Sequence, residues 1–523
     1  MTPSPDTSEA LPHPGAPLLP LAWNTTKISR MKSKRPILAG ILAFSLIWVS
    51  GCAGLSGAGN SSRNVILTSD FDDASVGAEV AKNMAQQMGI VEDPDLQAYI
   101  EVIGRRMIPF APARSFDYTF HIIDQSAPNA FALPGGYIYI SRGLLTLVNS
   151  EDELACVIGH EITHAAERHS AGRQQFDSRM NPLSIGFMRI GQLAAYGRDQ
   201  ERDADRGGQI LAAKAGWDPS GMATFMQDID SMERLTTGWS RLPGFFDSHP
   251  TSPQRAAEST NRAENLKWTP RPNIASSQYI FLKKMTGLAL GADPKEGIFE
   301  GTRFLHLDMD FSLLFPHGWQ LINNHDAVGA VAPAGNAFIA LQVAGPGDDP
   351  KAMAQIFAQT ELREGNGRVR REQALLIGSL SAYRIHVTAG EFKGFMTFIA
   401  YNDFIYRLDT LTTGGPIDSY AGRGRTVARS FRPLTEQEKG LFKSTQLSLV
   451  TGRAGESLQG LSARTTNELD LATTAVLNDL FIDSRLEEGQ WVKIGRARPY
   501  VPEPPPKKPG QGSTAAEASP PLL

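Results

Sequence analysis

Apolar and polar positions along the chain fall into three successive rhythms. From about Ser75 to about Asn265 apolar residues recur every three or four positions, the period of helices that bury one face. Two short runs, 118–123 and 137–140, break that rhythm and read as strands. From about Phe304 the period drops to two, with Gly and Pro turns between runs such as Phe338-Ile-Ala-Leu-Gln-Val343. This second region ends near Pro433, and a smaller one with both helix and strand character fills about 436–500. The tail from Pro502 is Pro-rich and is expected to be disordered. The fold class expected from these patterns is α+β, with a mainly helical first half.

Composition narrows the function classes. A length of 523 residues suggests about three domains at roughly 150 residues each. Net charge is only −4, which argues against a nucleic-acid partner, because phosphate neutralisation needs an excess of Lys and Arg. Cysteine occurs only at Cys52 and Cys156, so a disulfide framework is excluded. No apolar run reaches the roughly 18 residues of a membrane span, which excludes a polytopic membrane protein.

The N-terminus reads as an address. Residues 1–30 have no helical or strand period and read as an upstream mis-start, disordered in character. Met31-Lys-Ser-Lys-Arg35 is a basic n-region, and the apolar run 36–49 suits a signal-peptide core better than a span. That run ends in Val49-Ser-Gly-Cys52, which resembles a bacterial lipobox. The resemblance implies a lipoprotein signal peptide over 31–51, a lipidated Cys52 as mature N-terminus, and a Gly/Ser-rich tether over 52–74. Ala53 stands where an Asp would signal inner-membrane retention, so the implied place is the periplasmic face of the outer membrane, held by lipid.

The strongest chemical signal is His160-Glu161-Ile162-Thr163-His164. It follows Glu151-Asp-Glu in a helical pattern, with acidic residues in the first turn. Four residues turn a helix by about 400°, so the two imidazoles lie about 40° apart on one face and can share one Zn²⁺. Glu161 follows the first ligand and is placed to act on water as a general base. A third ligand is then required. Ser170 occupies the position of a metzincin-type third His, and His169 falls about 180° around the same helix from His160. Glu201 and Asp205, four apart at the start of a later helix, are better candidates: Glu201 can complete a His₂Glu site while Asp205 accepts a hydrogen bond from a ligand imidazole, the alternative being two solvated carboxylates on a charged helix start.

These residues, with Asn129-Ala-Phe-Ala-Leu-Pro-Gly-Gly-Tyr-Ile-Tyr-Ile and Ala215-Gly-Trp-Asp-Pro219, resemble the M48 gluzincin metalloproteases, which include BepA-like and LoiP-like periplasmic lipoproteins. The resemblance covers about residues 75–265. It implies a zincin-type protease domain over 75–270, one Zn²⁺ held by His160, His164 and Glu201, and Asp205 behind them. It also implies a substrate-aligning edge strand near 137–140. Asp247-Ser-His249-Pro-Thr-Ser-Pro-Gln-Arg255 is family-like too, and three roles stand open for His249: a regulatory fourth ligand, an oxyanion stabiliser, or a structural residue. An α+β region over 277–433 carries no chemistry of its own. Residues 436–500 resemble a LysM domain, a small βααβ unit associated with peptidoglycan, and 501–523 are the disordered tail. The expected function is a zinc endopeptidase of the bacterial envelope acting on misfolded or unassembled envelope proteins. The competing expectation is a non-proteolytic envelope scaffold or chaperone that binds peptidoglycan.

Overall fold

The computed structural model describes residues 70–169, 196–236, 245, 249, 253–413, 415 and 417–502. The expected signal peptide, Cys52, nearly all of the tether and the tail from 503 lie outside the described residues. The described residues belong to one compact unit, 61–523, and the fold is α+β.

The first half is built on a long buried helix. Helices α1 (Asp70–Met88) and α2 (Pro94–Met107) lead into strands β1 (Thr119–Ile123), β2 (Ala130–Leu133) and β3 (Tyr137–Ser141), then α3 (Arg142–Leu147) and α4 (Glu151–Ala166). Ser150 starts α4 as a cap, its hydroxyl accepting from Glu153 N at 3.1 Å, and Glu151, Asp152 and Glu153 complement the helix dipole. Glu151 is also a hub. Its carboxylate accepts from Tyr99 Oη (2.5 Å), Trp217 Nε1 (2.7 Å) and the backbone N–H groups of Ile274 and Ala275 (2.7 Å each).

Helix α5 (Arg198–Ala215) crosses α4 at glycines. A Cβ on Gly159 would stand 2.9 Å from the Gly208 carbonyl oxygen, and one on Gly208 would stand 2.7 Å from His160 N. Only hydrogen at both positions lets the two backbones approach so closely, and that approach brings Glu201 up to His160 and His164. Helices α6 (Gly221–Thr236), α7 (Pro253–Asn265) and α8 (Gln278–Lys284) close the layer.

The three-stranded sheet runs β1-β3-β2, with β1 parallel and β2 antiparallel to β3. Strand β3 is therefore central, with both its ladders occupied, and an edge strand lies next to 137–140 in β2, beside α4.

The middle region is antiparallel sheet. Strands β4 (Ile298–Glu300), β5 (Arg303–His306) and β6 (Phe311–Leu314) form one small sheet. Strands β7 (Gln320–Asn323), β8 (Ala327–Val331), β9 (Ala337–Pro346), β10 (Arg368–Ile377), β11 (Leu380–Ala389), β12 (Phe392–Tyr401) and β13 (Phe404–Thr413) form a larger one, ordered β10-β11-β12-β13-β9-β8-β7. Helix α9 (Pro350–Gln359) fills one face through Ala354 and Phe357, and α10 (Asp418–Arg429) the other through Val427 and Ala428.

The last region runs β14 (Lys443–Thr451), α11 (Leu458–Thr465), α12 (Leu471–Leu477), β15 (Trp491–Pro499), a βααβ order. It is joined to the helical half rather than hung from it. Leu447 and Leu477 lie in the same core as α2 and α4, and backbone bonds tie 287–290 to β14 (Gly287 N to Leu447 O, 2.9 Å; Leu290 N to Thr445 O, 2.7 Å). Lys493, 1% exposed, donates through Nζ to the carbonyls of Thr146, Leu147 and Val148 at 2.8–3.1 Å, capping the C-terminus of α3.

Asp228 lies in the same buried polar set, accepting from Asn149 Nδ2 at 3.0 Å. Burial first, then the charges of Glu153 and Asp479, push its carboxyl up to about 7 from 3.8. A carboxyl raised on folding stabilises below its unfolded pKa, and that contribution disappears as pH rises through about 7. Asp228→Asn is therefore expected to gain on wild type between pH 5 and pH 8, by at most about 3 kcal/mol. Thermal unfolding of both proteins at the two pH values checks this; a difference that does not change with pH rules it out.

Candidate metal centre

His160, His164, Glu201 and His249 converge, each offering one ligand atom, with all four atoms within 4.8 Å of one another. All four residues are buried. His160 Nε2 lies 2.9 Å from His164 Nε2 and 3.2 Å from His249 Nδ1. Glu201 Oε1 lies 3.4 Å from His164 Nε2 and 3.0 Å from His249 Nδ1. A tetrahedron with 2.0–2.1 Å arms has edges of roughly 3.3 Å, so these separations fit a single ion at the centre.

The far sides of the rings set the tautomers. His249 Nε2 faces the Ala130 carbonyl at 3.2 Å and must carry its proton there, which leaves the Nδ1 lone pair facing the other ligand atoms. His160 Nδ1 lies 3.1 Å from Asp205 Oδ1, which likewise frees Nε2. His164 Nδ1 meets His169 Nδ1 at 3.0 Å. Helix α4 ends at Ala166, and Arg168 in left-handed backbone (φ 55°) turns His169 back against it. His169 thus stays out of the ligand group, as its position along the chain implies, yet touches one ligand from behind.

Arg255, from the first turn of α7, closes the group. Its guanidinium grips Asp205 with two bonds (2.8 and 2.6 Å) and stands 2.9 Å from Glu201 Oε2. Burial alone would raise the carboxyl of Asp205, but the bond from Arg255 and then His160 outweigh it and hold it below the usual range. Burial likewise opposes ionisation of Glu201, and His249, His164 and His160 more than offset it.

Glu161 differs. It is fully buried, neither carboxylate oxygen has a hydrogen-bond partner among the described residues, and Oε1 lies 3.5 Å from His249 Nε2. Burial pushes its carboxyl up, only partly offset by His249 and His160. An unpaired acid held ready to take a proton, beside three lone pairs and a carboxylate, fits a hydrolytic metal centre.

The outer edge of β2 runs past this group. Its outward carbonyls, and that of Pro128 just before it, are each covered: Pro128 O by Phe245 N (2.9 Å), Ala130 O by His249 Nε2, and Ala132 O by Tyr196 Oη (3.2 Å). Tyr196 also stacks on His164 and Phe245 on His249, at ring separations of 3.7 and 4.4 Å.

The sequence pattern of peptidase family M48 matches residues 94–194 and 175–263, a stretch that holds every ligand atom named above. Residues 94–263 carry a peptidase family M48 domain. Zinc is the metal this family uses. The chain is 31% identical over 226 residues to a putative beta-barrel assembly-enhancing protease of Vibrio cholerae, covering 38% of this chain and 46% of the relative. It is 28% identical over 242 residues to the beta-barrel assembly-enhancing protease of Yersinia pestis (42% and 49%). It is 29% identical over 171 residues to the mitochondrial metalloendopeptidase OMA1 of Schizosaccharomyces pombe (30% and 50%). The chain spans about half the length of the curated relatives it matches.

Of the residues singled out in the sequence, the M48 fold brings together His160, Glu161, His164, Glu201, Asp205 and His249. Cys52 lies outside the described residues. Sequence reasoning gave no role to Arg255, Tyr196 or His169. Arg255 carried a signal: a cation in the first turn of a helix opposes the dipole and needs a compensating anion.

Proposed function

We propose that this chain is a zinc-dependent endopeptidase of the bacterial cell envelope that degrades misfolded or unassembled envelope proteins. The reading rests on one observation above the others: a buried Glu161 carboxyl that accepts no hydrogen bond, beside a convergent two-His, one-carboxylate group. Residues 75–270 would be the zincin-type protease part, 277–433 a docking or substrate-shaping part, and 436–500 a LysM-like unit that can meet peptidoglycan. The names of the relatives support the envelope setting, and a lipidated Cys52 would hold the protein to the periplasmic face of the outer membrane.

Zinc, held by His160, His164 and Glu201, would polarise the scissile carbonyl and lower the pKa of an attacking water toward roughly 7. Glu161 takes the proton of the water and delivers it to the leaving amine. Asp205 and Arg255 hold His160 and Glu201 in orientation from behind. An extended substrate would pair along β2, on the carbonyls of Pro128, Ala130 and Ala132.

His249 is then a latch: it fills the fourth corner of the group and covers Ala130. His249→Ala is expected to retain zinc and to cleave an unfolded protein several-fold faster than wild type. Lost activity with zinc retained would instead assign His249 to the oxyanion.

The test of the function is incubation of the zinc-loaded fragment beginning at Ala53 with an unfolded outer-membrane protein, followed by mass spectrometry of the products. Internal cleavage that stops on chelation is the expected result. Zinc-loaded wild type and His249→Ala that both fail to cut would sink the reading. The competing scaffold reading draws on the close joining of β14–β15 to the protease core. It requires that deletion of 436–523 abolish complementation while Glu161→Gln leaves it intact.

A further inference from the structure

The large sheet carries a concentration of positive charge that the peptidase reading does not use. In register, Arg371 and Gln373 of β10 oppose His386 and Arg384 of β11, which oppose Phe395 and Thr397 of β12, so these side chains share one face. Helix α10 lies on the same face over β13, where a Cβ on Gly424 would stand 2.3 Å from Thr410 Oγ1. Arg425 and Arg429 of α10 are exposed beside the uncovered strands. Carboxylates on the adjoining strands point away: Glu372 pairs across from Ile385 and acts on Tyr383 of the opposite face, and Asp409 binds Arg407 there.

Arg384 is the centre of this cluster. It is only 8% exposed, Nε donates to Thr397 Oγ1 at 2.9 Å, and the guanidinium lies 4.8 Å from the centre of the Phe395 ring. Its terminal N–H groups have no acceptor among the described residues. Burial, then Arg425 and Arg429, disfavour its charge, while burial, then Arg371, Arg384 and Arg425, disfavour protonation of His386. Charge on an exposed edge strand has a bland explanation, since it prevents edge-to-edge pairing. Arg384 is not on the edge strand and is only 8% exposed, and its terminal N–H groups, which reach solvent and meet no carboxylate, are free to bind an anion.

We propose that this face is an anion site, centred on Arg384, for a phosphate group. A carboxylate would balance one of four arginines; a phosphate dianion offers three acceptor oxygens to guanidinium forks from β10, β11 and α10. The overall charge of −4 does not bear on it, because the cations are gathered on one face of one sheet. The site is independent of the metal centre.

The test uses the soluble chain from Ala53 at low ionic strength, with inorganic phosphate followed by calorimetry and with phosphatidylglycerol vesicles followed by co-sedimentation. Saturable phosphate binding, weakened about tenfold or more by Arg384→Gln and by the exposed pair Arg425→Gln/Arg429→Gln, supports a free phosphate as ligand. Vesicle binding with the same loss, absent for phosphatidylcholine vesicles, supports a lipid headgroup. Glu161→Gln should change neither. No binding in either arm, or binding that both sets of variants leave unchanged, overturns the proposal. The surface pair keeps the test valid if Arg384→Gln does not fold.

Discussion

Glu161→Gln is expected to leave zinc content near one per chain and to reduce cleavage of an unfolded protein by about a thousandfold or more. General acid–base catalysis by a placed side chain contributes on the order of 10²–10⁴ in rate, and this residue would serve in both directions of proton transfer. The substitution is unusually clean here. Neither oxygen of Glu161 is hydrogen-bonded among the described residues, so the isosteric amide breaks no bond in the resting protein. The carboxyl is fully buried and its pKa raised by that burial, so the neutral amide also removes a potential buried charge. Unfolding temperature should therefore stay level or rise while turnover collapses. Elemental analysis, thermal unfolding and product counting on one preparation separate these outcomes. Equal turnover in wild type and variant would remove Glu161 from the mechanism.

Much of this site was legible because its parts sit at helical spacing. His160 and His164, and again Glu201 and Asp205, are each four apart, so one rule of geometry places both pairs on helix faces without knowledge of the fold. The crossing that joins the two faces was not legible, because it depends on Gly159 and Gly208 meeting across the interface. Strand β2 was missed for a different reason. Ala130-Phe-Ala-Leu133 is buried at all four positions, and a short apolar run without alternation does not declare itself a strand. Lys493 is likewise placed by the tertiary fold alone: its ammonium lies buried against three carbonyls at the end of a distant helix. Arg255 sits 50 residues from Asp205, and only the tertiary fold shows that the two meet.

That ion cluster gives the second large effect. Arg255→Met is expected to weaken zinc binding about 10–100-fold and to destabilise the metal-free protein by about 3–5 kcal/mol. The side chain is 4% exposed and stands against three carboxylate oxygens: both of Asp205 and the outer oxygen of Glu201. A methionine of similar length fills the space but leaves those oxygens desolvated and unpaired. Asp205 then keeps only His160 and the more distant Arg262 to hold its charge, and once it takes up a proton it no longer orients that imidazole by accepting from Nδ1. Glu201 in turn is free to rotate its outer oxygen away. Arg255→Lys should recover only part of the loss, because an ammonium is a point charge and cannot form the paired bonds of a planar fork to Asp205 while reaching Glu201. Saturating zinc should restore much of the stability of Arg255→Met by mass action, since the ion binds only the folded site. A chelator competition titration at fixed pH gives the affinity, and thermal unfolding with and without zinc gives the stability. Zinc affinity unchanged from wild type, with a metal-free protein that is merely less stable, would make Arg255 a structural brace rather than a positioning residue for the ligands.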